Sequence, residues 1–250
     1  YSGETYNDVY YTTAYYERAV VGIRASDGRC MVKYNLGGYP YNMTMDGNKL
    51  YVGGSFGFKI IDVNSGSIIN CNVNSQLRYS YGTAVDAGAI HSYRSNRIYR
   101  FPLNQSGGCP STSGGSFYYP EGSYVGLQHL GGNQMWTLSW SNSRMRKIQM
   151  NSQGSSYTNL LTKGSRSRSA SSANNLYFYY PWGLGYDDTN NRLLGANLNN
   201  GQVHIMDLNG GWIKSIGGAP KTRMQAAYEA IEAIVKDSSL TSGVDFGFAY

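Results

Sequence analysis

One pattern narrows what this chain can fold into: a strand-rich unit that recurs along it. Residues 49–73, "KLYVGGSFGFKIIDVNSGSIINCNV", run as a strand, a short gap, a strand closing on Asp-aliphatic-Asn-x-Gly, and a further strand. Residues 192–218, "RLLGANLNNGQVHIMDLNGGWIKSIGG", repeat that order, so Asp62 matches Asp207, Asn64 matches Asn209 and Gly66 matches Gly211. Upstream, "MDGN" and "DDTNN" supply matching tight turns, made of residues that tolerate the positive φ of hairpins. Weaker copies occupy residues 19–38, 89–109 and 134–156. A unit of about four strands over roughly 40–50 residues is the period of a β-propeller blade.

The repeat predicts a mainly β chain, with about five four-stranded blades between residues 8 and 218. The first copy would lack its opening strand, and an irregular sandwich is the structural rival. Stretches such as "KLYVGGS" are read as inner strands, buried on both faces by neighbouring blades. Composition fits this reading. Charged residues make up only 14%, below the roughly 25% of an average globular protein. The 32 Gly and 24 Tyr take up the difference. Glycines let blades approach closely, and tyrosines bury a ring while keeping a polar tip. Such a composition points to a secreted or surface-exposed protein, and no apolar run approaches the ~18–20 residues that span a bilayer.

A net charge of +6 raises nucleic acid as a partner, but the charge is not gathered on one face. The one basic cluster is Lys163, Arg166 and Arg168 in the serine-rich "TKGSRSRSASSANN", read as a solvated loop. The partners expected therefore exclude nucleic acid. Cys30, Cys71 and Cys109 show no zinc-type spacing. An odd count leaves at least one thiol free or paired outside the chain. Cys71 and Cys109 each follow a strand pair, so a bridge between them is one of the open pairings.

Chemistry has few carriers. His91, His129 and His204 stand alone in strands or beside a turn, where a histidine is more often structural than a base or ligand. No nucleophile elbow, zinc-protease helix or phosphate loop occurs. Most aspartates, including the Asp187–Asp188 pair, sit at turns, where the carboxylate serves its own backbone. No catalytic residue, metal ligand or cofactor is assigned. The candidates for binding are aromatic and cationic: Trp136 and Trp140, alternating with polar residues in "MWTLSW", and Arg166 and Arg168.

The chain closes differently, on "KTRMQAAYEAIEAIVKDSSLTSGVDFGFAY". Thr222 and Gln225 form a capping box, and Met224, Ala227, Tyr228, Ile231 and Val235 share one helical face. A helix over residues 222–236 and a strand over 244–250 would make half of a βαβ unit, which cannot bury both its faces alone.

Residues 221–250 resemble the first helix and second strand of a von Willebrand factor A domain. Beside propeller-like repeats, the pairing resembles the PilC/PilY family of type IV pilus tip adhesins. The resemblance implies residues 1–218 as a propeller and 219–250 as part of an A-like domain. The propeller would interrupt that domain, whose opening would precede Tyr1. It further implies a non-catalytic, extracellular adhesion or assembly role at a bacterial surface. The partners would be pilus minor subunits and a host or abiotic surface receptor, protein or glycan. Calcium or magnesium would belong to the intact protein, since the family's D-x-S-x-S and D-x-D-x-D motifs are absent here and no metal residue carries over. The rival function is a secreted, metal-dependent propeller hydrolase or lyase.

Overall fold

Two-residue hairpins of inverted turn type set the strand spacing. Asn7–Asp8 and Ser95–Asn96 both hold positive φ at each central position, where the turn's twist matches that of its strands. The computed structural model describes residues 3–24, 26–80, 82–86, 88–104, 108–122, 125–169, 171–172, 175–187, 190–197 and 201–217. Within them the chain is mainly β and builds a five-bladed β-propeller, each blade a four-stranded antiparallel sheet in simple chain order.

The first blade holds β1 (Gly3–Tyr6), β2 (Val9–Ala14), β3 (Ala19–Arg24) and β4 (Cys30–Asn35). The second holds β5 (Pro40–Asp46), β6 (Lys49–Gly54), β7 (Gly57–Asp62) and β8 (Ile68–Cys71). A single helical turn, α1 (Ser75–Arg78), leads on, capped by the Asn74 side chain accepting from the Gln76 amide. The third blade is β9 (Gly82–Asp86), β10 (Ala89–Arg94), β11 (Arg97–Pro102) and β12 (Gly115–Tyr118). The fourth is β13 (Val125–Gly131), β14 (Gln134–Ser139), β15 (Arg144–Met150) and β16 (Tyr157–Lys163). A short parallel pair, β17 (Ser165–Arg166) and β18 (Tyr177–Phe178), precedes the fifth blade. That blade holds β19 (Gly183–Asp187), β20 (Arg192–Asn197), β21 (Gln202–Asp207) and β22 (Trp212–Gly217).

First strands lie side by side, β1 against β5, β5 against β9, β9 against β13 and β13 against β19. The axis is therefore lined by first strands, and "KLYVGGS" is the second strand β6, an inner strand of its blade. As the sequence suggests, it is covered on both faces, and Leu50, Tyr51 and Val52 are all fully buried. The first blade also keeps its opening strand, so the repeat begins at Gly3 and not near Asp8.

The apolar core sits between blades. Tyr11, Val20 and Leu36 meet Met43, Leu50 and Ile61 between the first and second. Tyr51, Phe58 and Leu77 meet Ile90 and Phe101 between the second and third. Tyr93, Phe117 and Tyr119 meet Leu127, Met135 and Ile148 between the third and fourth. Trp136, Leu138 and Met145 meet Phe178, Leu193 and Met206 between the fourth and fifth. Each such side chain contributes about 1.5–3 kcal/mol on burial. Close approach needs Gly115, where a Cβ would lie 2.1 Å from the Gln153 carbonyl oxygen in the β15–β16 turn.

The matched aspartates occupy equivalent places, each ending the third strand of its blade. Asp62 Oδ1 accepts from the Asn64 and Ser65 amides, and Asp207 Oδ1 accepts from the Asn209 and Gly211 amides. The second turn is one residue shorter, so positive φ falls on Gly66 and on Gly210, not on Gly211. Cys71 and Cys109 form a disulfide that ties β8 to the segment between β11 and β12; Cys30 is free and exposed. The helix and strand expected over residues 222–236 and 244–250 lie outside the described residues. Among the described residues no helix is long and apolar enough to cross a membrane.

Candidate functional site

Chain order within a blade decides which segments share an end of the propeller. The entry to each first strand and the turn between second and third strands lie at one end. The turns between first and second, and third and fourth, lie at the other. Sorted this way, the first end collects aromatic rings and arginines from every blade.

Its larger group spans the first three blades. Tyr15, in the β2–β3 turn, stacks on Tyr39 at 4.7 Å, meets Tyr16 edge-on at 5.2 Å and approaches Tyr41 at 6.3 Å. Tyr41 continues to Tyr79 at 5.8 Å. Arg18 lies 4.9 Å over the Tyr39 ring and donates to its hydroxyl, while Arg78 and Arg94 lie 5.0 and 5.2 Å from the Tyr79 ring. Tyr16 is 82% exposed, so this end presents ring surface to solvent.

The second group joins the fourth and fifth blades. Trp140, in the β14–β15 turn, packs 4.7 Å from Tyr180, which meets Tyr179 at 4.8 Å. Arg166 lies 4.1 Å over Tyr180, and Arg168 lies 4.6 Å over Tyr179 while donating to its hydroxyl at 2.8 Å. Tyr180 holds φ +52, a left-handed conformation that costs a bulky residue about 1–3 kcal/mol and concentrates at ligand-holding sites. Cations held over ring faces keep outward N–H donors for carboxylate, sulfate or phosphate, while the rings offer faces for stacking.

Three of the four residues expected to bind thus come together: Trp140, Arg166 and Arg168. Trp136 does not join them. It is fully buried between the fourth and fifth blades, its Nε1 donating to the Leu208 carbonyl at 3.3 Å. Arg166 and Arg168 are both exposed, as a solvated loop would have them, but Arg166 belongs to β17, paired with Tyr177–Phe178, and Arg168 follows in the loop, where the Ser167 amide donates to the Phe178 carbonyl. Tyr179 and Tyr180 stand out in the sequence within the aromatic run "NNLYFYYPWGLG", a candidate binding surface, whereas the Tyr15–Tyr79 group shows there only as tyrosine abundance.

Of the histidines, His204 is structural, fully buried, with Nε2 donating to the Tyr177 carbonyl at 2.8 Å and Nδ1 beside the Ser215 hydroxyl. Burial lowers its pKa, and the Tyr177 carbonyl partly opposes that. Asp187 is a buried turn carboxylate, accepting from the Asn190 amide and side chain. His91 and His129 are different. At the other end, between the third and fourth blades, they stack 5.4 Å apart beside Asp86. One ligand atom from each of the three lies within 4.8 Å of the others. Burial, helped by the neighbouring His129 and Arg100, pushes the His91 pKa down to about 3. Burial alone would raise Asp86, but His129 and the Gly88 amide hold it well below the usual carboxylate range.

No known protein family and no curated protein matches the chain. Solved structures do. Virginiamycin B lyase from Staphylococcus aureus is 15% identical, with a TM-score of 0.54 over 88% of this chain and 70% of its own. An auxiliary nutrient binding protein from Bacteroides thetaiotaomicron is 8% identical, with a TM-score of 0.55 over 85% of this chain and 55% of its own. A functionally unknown protein from Desulfotomaculum acetoxidans is 13% identical, with a TM-score of 0.55 over 86% and 69%. At such identities the similarity shows the propeller fold alone.

Proposed function

We propose that this chain is a non-catalytic adhesion or assembly protein of the bacterial cell surface, with its working surface at the tyrosine–arginine end of the propeller. The observation that carries the reading is the built group of Trp140, Tyr179, Tyr180, Arg166 and Arg168, strained at Tyr180, its rings half-buried and its arginines exposed. A receptor suited to it carries an anionic group beside a flat apolar or sugar face. The type IV pilus tip is the setting this reading favours, resting on the resemblance of residues 221–250. The disulfide supports an oxidising, extracellular location.

The test is binding of the purified chain to host cells and abiotic surfaces. Trp140→Ala and the pair Arg166→Ala/Arg168→Ala are each expected to weaken binding about tenfold or more, the scale of a binding hot spot. Rising salt should weaken it too, since an arginine contribution is screened. Binding should survive chelation, because the surface uses no metal. Turnover of a lactone or ester that disappears on chelation would instead favour the hydrolase or lyase.

A further inference from the structure

His91 is fully buried, yet neither of its ring nitrogens has a hydrogen-bond partner. A neutral imidazole carries one N–H donor and one lone pair, and burying both unmet is costly. His91 projects from β10 toward Asp86 at the end of β9 and His129 near the end of β13. Asp86 is held for a purpose other than its own turn alone. Its Oδ1 accepts from the Gly88 and Ala89 amides, which leaves Oδ2 facing His129 Nε2 at 3.0 Å. That contact is short but not aligned as a hydrogen bond, since Nε2 also has no partner by geometry. Two atoms side by side and both unaligned with each other suit ligands that flank a shared ion, where tetrahedral neighbours lie about 3.4 Å apart.

We propose that Asp86, His91 and His129 form a binding site for one divalent transition-metal ion of the zinc class, joining the third and fourth blades. Two imidazole nitrogens and one carboxylate oxygen suit that class. Calcium, which takes six to eight oxygens, and magnesium, which keeps an octahedron of them, are poorly served. The fixed Oδ1 orients the carboxylate before the ion arrives, as a second shell does in built metal sites.

Loading has a proton consequence. The Gly131 amide donates to His129 Nδ1 at 2.9 Å, so without metal the ring proton sits on Nε2. An ion on Nε2 must displace the proton there, and the neutral ring then carries that proton on Nδ1. The Gly131 amide must then turn away, and the turn that carries it, with positive φ at Gly131 and Gly132, has the backbone freedom to do so.

The experiment titrates the metal-free chain with Zn²⁺ by calorimetry and with Co²⁺ by visible absorption. Expected are one ion per chain, a four-coordinate Co²⁺ spectrum, a higher melting temperature and a changed Gly131 amide resonance. His91→Ala and His129→Ala should each weaken Zn²⁺ binding at least 100-fold. Far-ultraviolet circular dichroism confirms that the variants are folded, and the Co²⁺ spectrum of the unaltered chain stands independently of them. No uptake at tens of micromolar Zn²⁺, or uptake retained by a folded His91→Ala chain, would overturn the site. Receptor binding at the opposite end is a separate measurement and does not depend on either outcome.

Discussion

At the scale of single residues, two tryptophans four apart, one inside β14 and one just past its end, show what alternation conveys and what it hides. Polar residues between apolar ones suggest one wet face. In β14, however, Met135, Thr137 and Ser139 are as buried as Trp136 and Leu138, because blades cover both faces of a second strand. Trp140 escapes only because β14 ends at Ser139 and the turn carries it outward. His91 and His204 are alike in sequence but opposite in satisfaction, a difference made by what the neighbouring strands place opposite each ring. His204 also bears on pH. Its folded pKa lies below the ordinary 6.5, so between pH 7 and 5 the unfolded chain binds more protons and stability falls on acidification. His91 acts in the same direction. In metal-free protein, urea unfolding at pH 7 and pH 5 should show this loss. His204→Gln should reduce it, by at most about 1.4 kcal/mol per pH unit. Equal losses in both proteins would contradict the assignment.

At the scale of elements, the turn chemistry was the legible part. Asp-x-Asn ahead of glycine encodes a side chain that accepts from its own following amides, and both copies do so. The blade positions of these copies could therefore be read directly. Strand rank within a blade could not, because burial on two faces marks first and second strands alike. The β17–β18 pair was hidden for another reason, since two residues of parallel pairing at a separation of 12 positions leave no periodicity. The disulfide spans elements as well, closing a separation of 38 residues across two blades. Chain-entropy arguments place its contribution at about 4 kcal/mol. Replacing both cysteines by serine should lower the unfolding free energy by about 2–4 kcal/mol, measured by denaturant titration, with the blade fold retained. A loss below about 0.5 kcal/mol would mean that native strain offsets the cross-link.

At the scale of the whole molecule, the propeller was legible from period and turns, whereas the two ends of its axis were not. Residues at one end come from widely separated stretches of chain, and only the fold sorts them into a surface rich in tyrosine and arginine. Its distance from the histidine group follows from the same sorting, and it makes the proposed receptor binding and the proposed metal binding separately measurable. The Cys71–Cys109 bond has one more consequence, which concerns mechanical load. A pull applied between the two ends of the chain passes from Cys71 to Cys109 through sulfur, so β9, β10 and β11 lie off the path of tension. Those bypassed residues store about 130 Å of hidden contour length, at roughly 3.5 Å each. In single-molecule stretching, reductant should add an extension of about that size, and without reductant β9–β11 should stay free of load after the neighbouring blades have opened. A protein that holds a cell to a surface against flow would then keep part of its fold beyond the reach of the force.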